Sequence, residues 1–200
     1  MMNSNQGASY LDDPDVQLML AFQKGDVASF EKLMVKYFKP LLNFIYRMIG
    51  NRETAEEITQ EVFIRVYKSA FLYEPRSKFR TWAYTIARNL SLNSIRDKKK
   101  NTHSLDESFE SEDGVMSRQV EDVTVEKPDE ALLLKEKNAV IMDAIHSLPE
   151  NQRTAVLLCR FEGLSYEDIS KTMGTSVEAV KSLLSRAKEN LKIRLRGLVE

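Results

Sequence analysis

Apolar residues recur along this chain at three- and four-residue steps, with hardly any strand-like alternation, so the pattern predicts an all-α protein. From Asp26, the residues Ala28, Phe30, Leu33, Tyr37, Leu41, Phe44, Ile45 and Met48 fit one helix face. Gly50 is its stop, and Pro40 is expected to kink or divide it. A shorter helix is expected from about Asp15 to Lys24, ended by Gly25. A third, from about Glu53, turns Ala55, Ile58, Val62, Phe63, Val66 and Tyr67 inward. It leaves Glu57, Gln60, Glu61, Ile64, Arg65 and Lys68 outside. In the fourth, Phe79, Trp82, Ala83, Ile86, Ala87 and Leu90 make an unbroken apolar stripe, which assigns Trp82 to the core. The opposite face carries Arg80, Tyr84, Arg88, Asn89, Asn93 and Arg96, and the helix runs out in Lys98–Lys100.

The second half repeats the helical pattern. Helices are expected over Glu130–Ser147 and Glu150–Glu162, stopped by Pro149 and Gly163. Ser165 with Asp168, and Thr175 with Glu178, form two capping-box-like starts on either side of Gly174. Ile169, Met173, Val177, Val180 and Leu183 fall where a helix-turn-helix buries its two helices, with small Ser170 at the crossing. The last helix buries Val177, Val180, Leu184, Ala187 and Leu191. It exposes Glu178, Lys181, Ser182, Ser185, Arg186 and Glu189, with Lys188 at the edge. Short donors flanked by Lys and Arg suit a helix lying in the DNA major groove.

Charge changes the picture more than composition does. The totals nearly cancel, with 29 basic and 30 acidic residues, but they are segregated. Residues 76–100 hold eight basic side chains against Asp97, residues 101–129 hold nine acids against Arg118 and Lys127, and residues 176–200 hold six basic against three acidic. The acidic segment is rich in Ser, Asp and Glu and poor in large apolar residues, so it reads as a flexible linker with Pro128 marking where order resumes. Two small helical domains, 1–100 and 130–200, are therefore expected around a tether at 101–129. Two basic blocks separated by an acidic one point either to two polyanion-binding surfaces or to ordinary solvated faces. On the fourth helix, guanidinium groups can meet phosphates while amides and rings meet bases. Before it lies FLYEPRSK (71–78), where aromatics beside Arg76 and Lys78 suit unstacked bases. Phe71 reads better as core, and Tyr73 is open between the two.

Other chemistries find little support. The lone Cys159 excludes an internal disulfide and reads as a small core residue, which fits a reducing, cytoplasmic setting. His103 and His146 have no partner at metal-ligand spacing, so no metal, cofactor or catalytic set is expected. The N-terminus lacks the form of a signal peptide, and no apolar run is long enough to span a bilayer. Ile64 among Glu57, Gln60 and Glu61 fits a single exposed apolar residue or the centre of a protein-docking patch. A ligand-sensing regulator with an operator-binding C-terminus, and a nuclease using Glu56, Glu57 and Glu61, are the rival classes.

Taken in order, AEEITQEVFIRVYKSA (55–70), FRTWAYTIARNLSLNSIR (79–96), LPENQRTAVLLCRFEGLSYEDIS (148–170) and SVEAVKSLLSRAKENL (176–191) resemble the extracytoplasmic-function sigma factors, group IV of the sigma-70 family. The resemblance implies a non-catalytic specificity subunit that binds core RNA polymerase at its clamp and flap and starts transcription at chosen promoters. It implies that Glu57, Gln60, Glu61 and Ile64 dock on the clamp. It implies that Arg76, Lys78, Arg80, Tyr84, Arg88, Asn89, Asn93 and Arg96 melt and read the minus-ten element, with Asn89 on a flipped base. It places Thr175, Ser176, Glu178, Lys181, Ser182, Ser185, Arg186 and Lys188 on the minus-thirty-five duplex. Some relatives carry Arg where this chain has Lys181 and Leu183, so bidentate donors are lost here. An anti-sigma partner, a monomeric free state and no membrane insertion are also implied.

Overall fold

The computed structural model of the chain describes residues 10–105 and 128–196, with side-chain surroundings given outside 101–136. Among the described residues every element is helical, and they form two helical domains. The expected tether lies for the most part, at 106–127, outside them, as does the N-terminus at 1–9.

In the first domain α1 spans Pro14–Gln23, α2 Val27–Ile49, α3 Arg52–Lys68 and α4 Phe79–Leu105, with a 3-10 turn at Ala70–Leu72 before α4. The local signals set the ends. Asp13 accepts from the amides of Asp15 and Val16, and Asn51 accepts from that of Thr54, so two helix starts have side-chain caps. Gly50 ends α2 at φ 78°, where any Cβ would stand 3.2 Å from His146. Contrary to expectation, Pro40 neither divides α2 nor ends it. A proline forfeits one helical hydrogen bond, and here Tyr37, Leu41, Phe44 and Ile45 are buried on both sides of it, which holds the helix in one piece. α4 also continues five residues past the Lys100 at which it was expected to stop.

Phe22, Phe30 and Phe63 pack as an aromatic run, with Phe22 and Phe30 stacked at 4.6 Å. Phe79 meets Tyr37 at 5.2 Å. Three of the core-face assignments fail, the first being Ala28, which is exposed at the start of α2. Tyr67 is more than half exposed, and Phe71 is 80% exposed on the turn instead of closing the core. Tyr73 takes the seat beneath the turn, 5.0 Å from Trp82. The Gln23 amide donates to the carbonyls of both Phe71 and Tyr73, fixing the turn with Phe71 outward.

In the second domain α5 spans Pro128–His146, α6 Glu150–Val156, a π-turn Leu157–Phe161, α7 Tyr166–Met173 and α8 Val177–Arg194. Gly174 makes the turn between α7 and α8 at φ 64°. Ser165 caps α7, accepting from the Asp168 amide, and Ser176, not Thr175, caps α8 by accepting from the Ala179 amide. Ile169 and Val180 are buried where the two helices cross.

One apolar core runs through both domains. Ile145, Leu157, Leu158, Leu164, Ile169 and Val180 belong to the same buried cluster as Leu33, Phe44, Val62 and Phe79. The α5–α6 turn also closes the C-terminal end of α2, whose last carbonyls have no helical donor. Arg153 donates to the Met48 carbonyl at 2.7 Å and to the His146 carbonyl at 2.6 Å. The His146 Nε2 donates to the Arg47 carbonyl at 2.9 Å. A histidine without any metal partner in the sequence is thus an interdomain contact.

Burial holds the His146 imidazolium form below its usual pKa, against the Arg47 carbonyl bond that favours it. The unfolded chain therefore takes up a proton near pH ~6.5 that the folded chain resists. The stability present above that pH is lost progressively as pH falls through the lowered folded value. The melting-temperature advantage of the native protein over His146→Gln is expected to shrink between pH 7.5 and 5.5 in calorimetry. An advantage that holds constant over that range would remove His146 from the linkage.

Candidate nucleic-acid interface

The polar face of α4 is where the sequence concentrates its cations, and the second domain lies on it. At the centre is Glu162, at the end of the π-turn and 8% exposed. The Tyr84 hydroxyl donates to its carboxylate, and Arg80 donates to its backbone carbonyl. Arg80 and Arg47 approach the carboxylate at 3.8 and 3.9 Å, and Arg47 lies 4.5 Å above the Phe161 ring. Burial pushes the Glu162 carboxyl upward in pKa, and Tyr84, Arg80 and Arg47 pull against that. Burial and the adjacent Glu162 together push the Tyr84 phenol up.

Two further contacts flank this centre. Lys78 and Thr81 donate to Asp168 at 3.3 and 3.2 Å. Partial burial works against the Asp168 charge, but the Ser165 hydroxyl, Lys78 and Thr81 hold its pKa below the ordinary carboxylate range. At the far end Lys99 donates to Glu150 at 2.6 Å, and that bond lowers the Glu150 pKa. Between them Arg88 reaches the amide oxygens of Asn89 at 3.2 Å and Asn151 at 3.4 Å, with its Nε buried and unpaired. Burial lowers its pKa, and Arg96 adds to that.

The expected open face is therefore corrected. Tyr84 is fully buried and Arg80 and Arg88 are half-buried, because the second domain supplies the surface they pack on. Asn89, Asn93 and Arg96 stay exposed, as does Arg76, which pairs with Glu74 in its own loop. On α8 and the turn before it, Thr175, Ser176, Glu178, Lys181, Ser182, Ser185, Arg186 and Lys188 are all exposed, with the Ser176 hydroxyl committed to its cap. Glu57, Gln60 and Ile64 are exposed on α3, and Glu61 is half-buried beside Arg65 at 2.8 Å.

Ile64 and Gln60 line one wall of an apolar groove that continues through Phe30, Met34, Phe38 and Tyr67. The α2 side of this groove escaped the sequence reading. Its signal was a surplus of apolar residues, since Val35 and Phe38 stand beside the buried stripe of Leu33 and Tyr37 rather than in it.

The chain matches the family model for sigma-70 region 2 over residues 33–101 and that for sigma-70 region 4 over residues 138–191. It is 33% identical over 193 residues to the RNA polymerase sigma-H factor of Pseudomonas aeruginosa, covering 94% of this chain and 96% of that one. To the extracytoplasmic-function sigma factor SigW of Bacillus subtilis it is 34% identical over 178 residues, 88% and 94% of the two chains. Among solved structures, CnrH in complex with the cytosolic domain of CnrY superposes with a TM-score of 0.69 at 18% identity, covering 92% of this chain and 99% of that one. The sigma factor RpoE of Bartonella quintana, solved with the anti-sigma factor NepR, gives 0.65 at 22%, over 84% and 96%. Those two likenesses are of fold. The near full-length identity of about a third, with region 2 on α2–α4 and region 4 on α5–α8, places this chain among the extracytoplasmic-function sigma factors, which direct promoter-specific transcription by RNA polymerase.

Proposed function

We propose that the work of initiation is divided between three surfaces of this chain. α4 and the 71–78 loop separate the minus-ten strands and read one of them, α8 reads the minus-thirty-five duplex, and the α2–α3 groove docks on the polymerase clamp. The observation that carries this reading is the pair of basic helices, each packed by one apolar face and each held at a fixed place in its own domain.

On α8, Lys181, Ser182, Ser185 and Arg186 fall on one exposed face behind the capped turn at Gly174. That is the geometry of a recognition helix, with its first turns against base edges and its cations against phosphates. On α4, Asn89 and Asn93 offer amides that can pair with unstacked bases, while Arg80, Arg88 and Arg96 supply phosphate contacts. Separating the strands costs a few kcal/mol of stacking and pairing, which these contacts must offset. The apolar groove beside Glu57 and Gln60 has the apolar centre and polar rim of a protein-docking surface.

The polymerase makes the bonds, and this chain acts as a non-enzymatic, cytoplasmic subunit, monomeric when free, that also touches the polymerase flap. An anti-sigma protein holds it inactive; one of the related folds was solved with an anti-sigma factor bound. Among the described residues no helix is long and apolar enough to cross a membrane.

Arg88 and Asn89 separate positioning from reading. Arg88→Ala is expected to weaken open-complex formation on every promoter and to reduce the salt slope of holoenzyme–promoter binding by about one unit. Asn89→Ala is expected to relax preference at one non-template base. Permanganate footprinting over a salt series and a set of base-substituted promoters measures both. An unchanged salt slope, or a uniform loss across base variants, would contradict the respective role.

A further inference from the structure

The turn that joins α3 to α4 sorts its side chains against their polarity. Phe71 and Leu72 stand 80% and 86% exposed, while Tyr73 is 7% exposed. The buried Tyr73 hydroxyl finds no hydrogen-bond partner among the described residues. Burial favours a phenyl ring over a phenol that has lost its water. Polarity alone would therefore seat Phe71 beneath the turn and leave Tyr73 outside. Gln23, the last residue of α1, reverses that order. Its amide donates to the carbonyls of Phe71 at 3.1 Å and Tyr73 at 3.2 Å, which fixes the backbone on either side of Leu72. Two large apolar side chains kept in water above an unpaired phenol give up stability, a departure from local preference that belongs to functional sites.

We propose that Phe71 and Leu72 form an apolar prong that packs on an unstacked base of the opened minus-ten strand, with Gln23 as its positioning residue, a role that rests on the reading of α4 and the 71–78 loop as the strand-separating surface. Single-stranded DNA is the occupant that the surroundings fit. Every base has a face that an aromatic ring can cover, and the phosphates beside it need cations. Lys78 and Arg76 lie in the same loop, and the Arg76 pair with Glu74 is an exposed one that phosphate can replace. The groove suited to a protein lies between α2 and α3, and its lining ends at Tyr67 and Lys68, before the turn. The prong carries no charge, so its contribution releases no counterion and does not depend on salt, unlike that of Arg88.

The test uses holoenzyme reconstituted with the full chain, on a promoter taken from its mapped transcript starts. Single minus-ten positions of the non-template strand carry 2-aminopurine, whose fluorescence falls when it stacks on a ring. Phe71→Ala is expected to lower the extent of opening at least tenfold with an unchanged salt slope, and to brighten one position in the complexes that do open. Phe71→Trp is expected to restore both. Phe71 is exposed, so neither change disturbs the fold. Gln23→Leu is expected to reproduce most of the loss in the native background and to add nothing to Phe71→Ala, whereas a merely structural role would add its loss in both. Should Gln23→Leu fail to fold, Gln23→Met, which keeps the side-chain length and lacks the donor, is measured in its place.

Normal opening by Phe71→Ala beside a defect in Arg88→Ala would overturn the prong and leave the reading of α4 standing. Weakened binding of Phe71→Ala to core polymerase would make the turn a protein contact and overturn the prong equally. Equal losses from the Gln23 change in both backgrounds would end its positioning role. If neither Phe71→Ala nor Arg88→Ala affects opening, the reading of α4 falls, and the prong falls with it.

Discussion

Replacing Ile64 by Lys is expected to cut the affinity of this chain for core RNA polymerase by at least about 30-fold while leaving its fold intact. Ile64 is 45% exposed and lines an apolar groove with Phe38, Tyr67 and Met34 rather than filling the core. Its substitution opens no cavity, and surface changes of this kind stay within about ±0.5 kcal/mol of the native stability. Binding is another matter. A lysine at the desolvated centre of a docking patch loses its apolar contact and carries a charge out of water, the pattern of a hot spot worth about 2 kcal/mol or more. Competition with the native chain for core enzyme, monitored by gel-filtration or fluorescence, reads the loss directly. Native affinity with a native melting curve would mean that the polymerase docks elsewhere.

The second large effect belongs to α8. Arg186→Glu is expected to lower transcription from a minus-thirty-five-dependent promoter about 100-fold, with core affinity and minus-ten strand binding unchanged. A well-placed base-edge contact contributes about 1–3 kcal/mol, and reversing the charge adds repulsion from the phosphates on either side. Arg186 is exposed beside Ser182 and Ser185, away from the buried Val180 and Ala187, so folding is spared. Run-off transcription on promoters with and without an intact minus-thirty-five element separates the loss from a general defect. An equal loss on both templates would place the role of Arg186 outside duplex reading.

The helices were legible because their information is local. The stripe Phe79, Ala83 and Ala87 is buried as the three- and four-residue spacing requires, and Gly50 and Gly174 stop helices at the positive φ angles such stops use. The cap of α8 was less clear, since Thr175 and Ser176 both precede that helix and only backbone geometry decides between them, whereas the Ser165 cap of α7 was read correctly. What periodicity does not carry is the partner of a polar face. Tyr84 lies between Arg80 and Arg88 and reads as solvated, yet it is buried by a glutamate 78 positions later in the chain. His146 reads as an orphan for the same reason, as its partner is the end of α2, a backbone carbonyl with no side-chain signature. Phe71 failed in the opposite direction. Its apolar side chain reads as core, but the turn is pinned by Gln23 and the buried seat goes to Tyr73.

The burial of Tyr84 and the bond of His146 share one origin, the second domain lying across α4 and the end of α2. The most direct measurement is transcription reconstituted from purified components, with this chain, core polymerase and genomic DNA, followed by mapping of the transcript ends. The account predicts starts confined to a small set of sites that share paired upstream elements, and no such starts with core enzyme alone. Starts that are indistinguishable with and without this chain would contradict it.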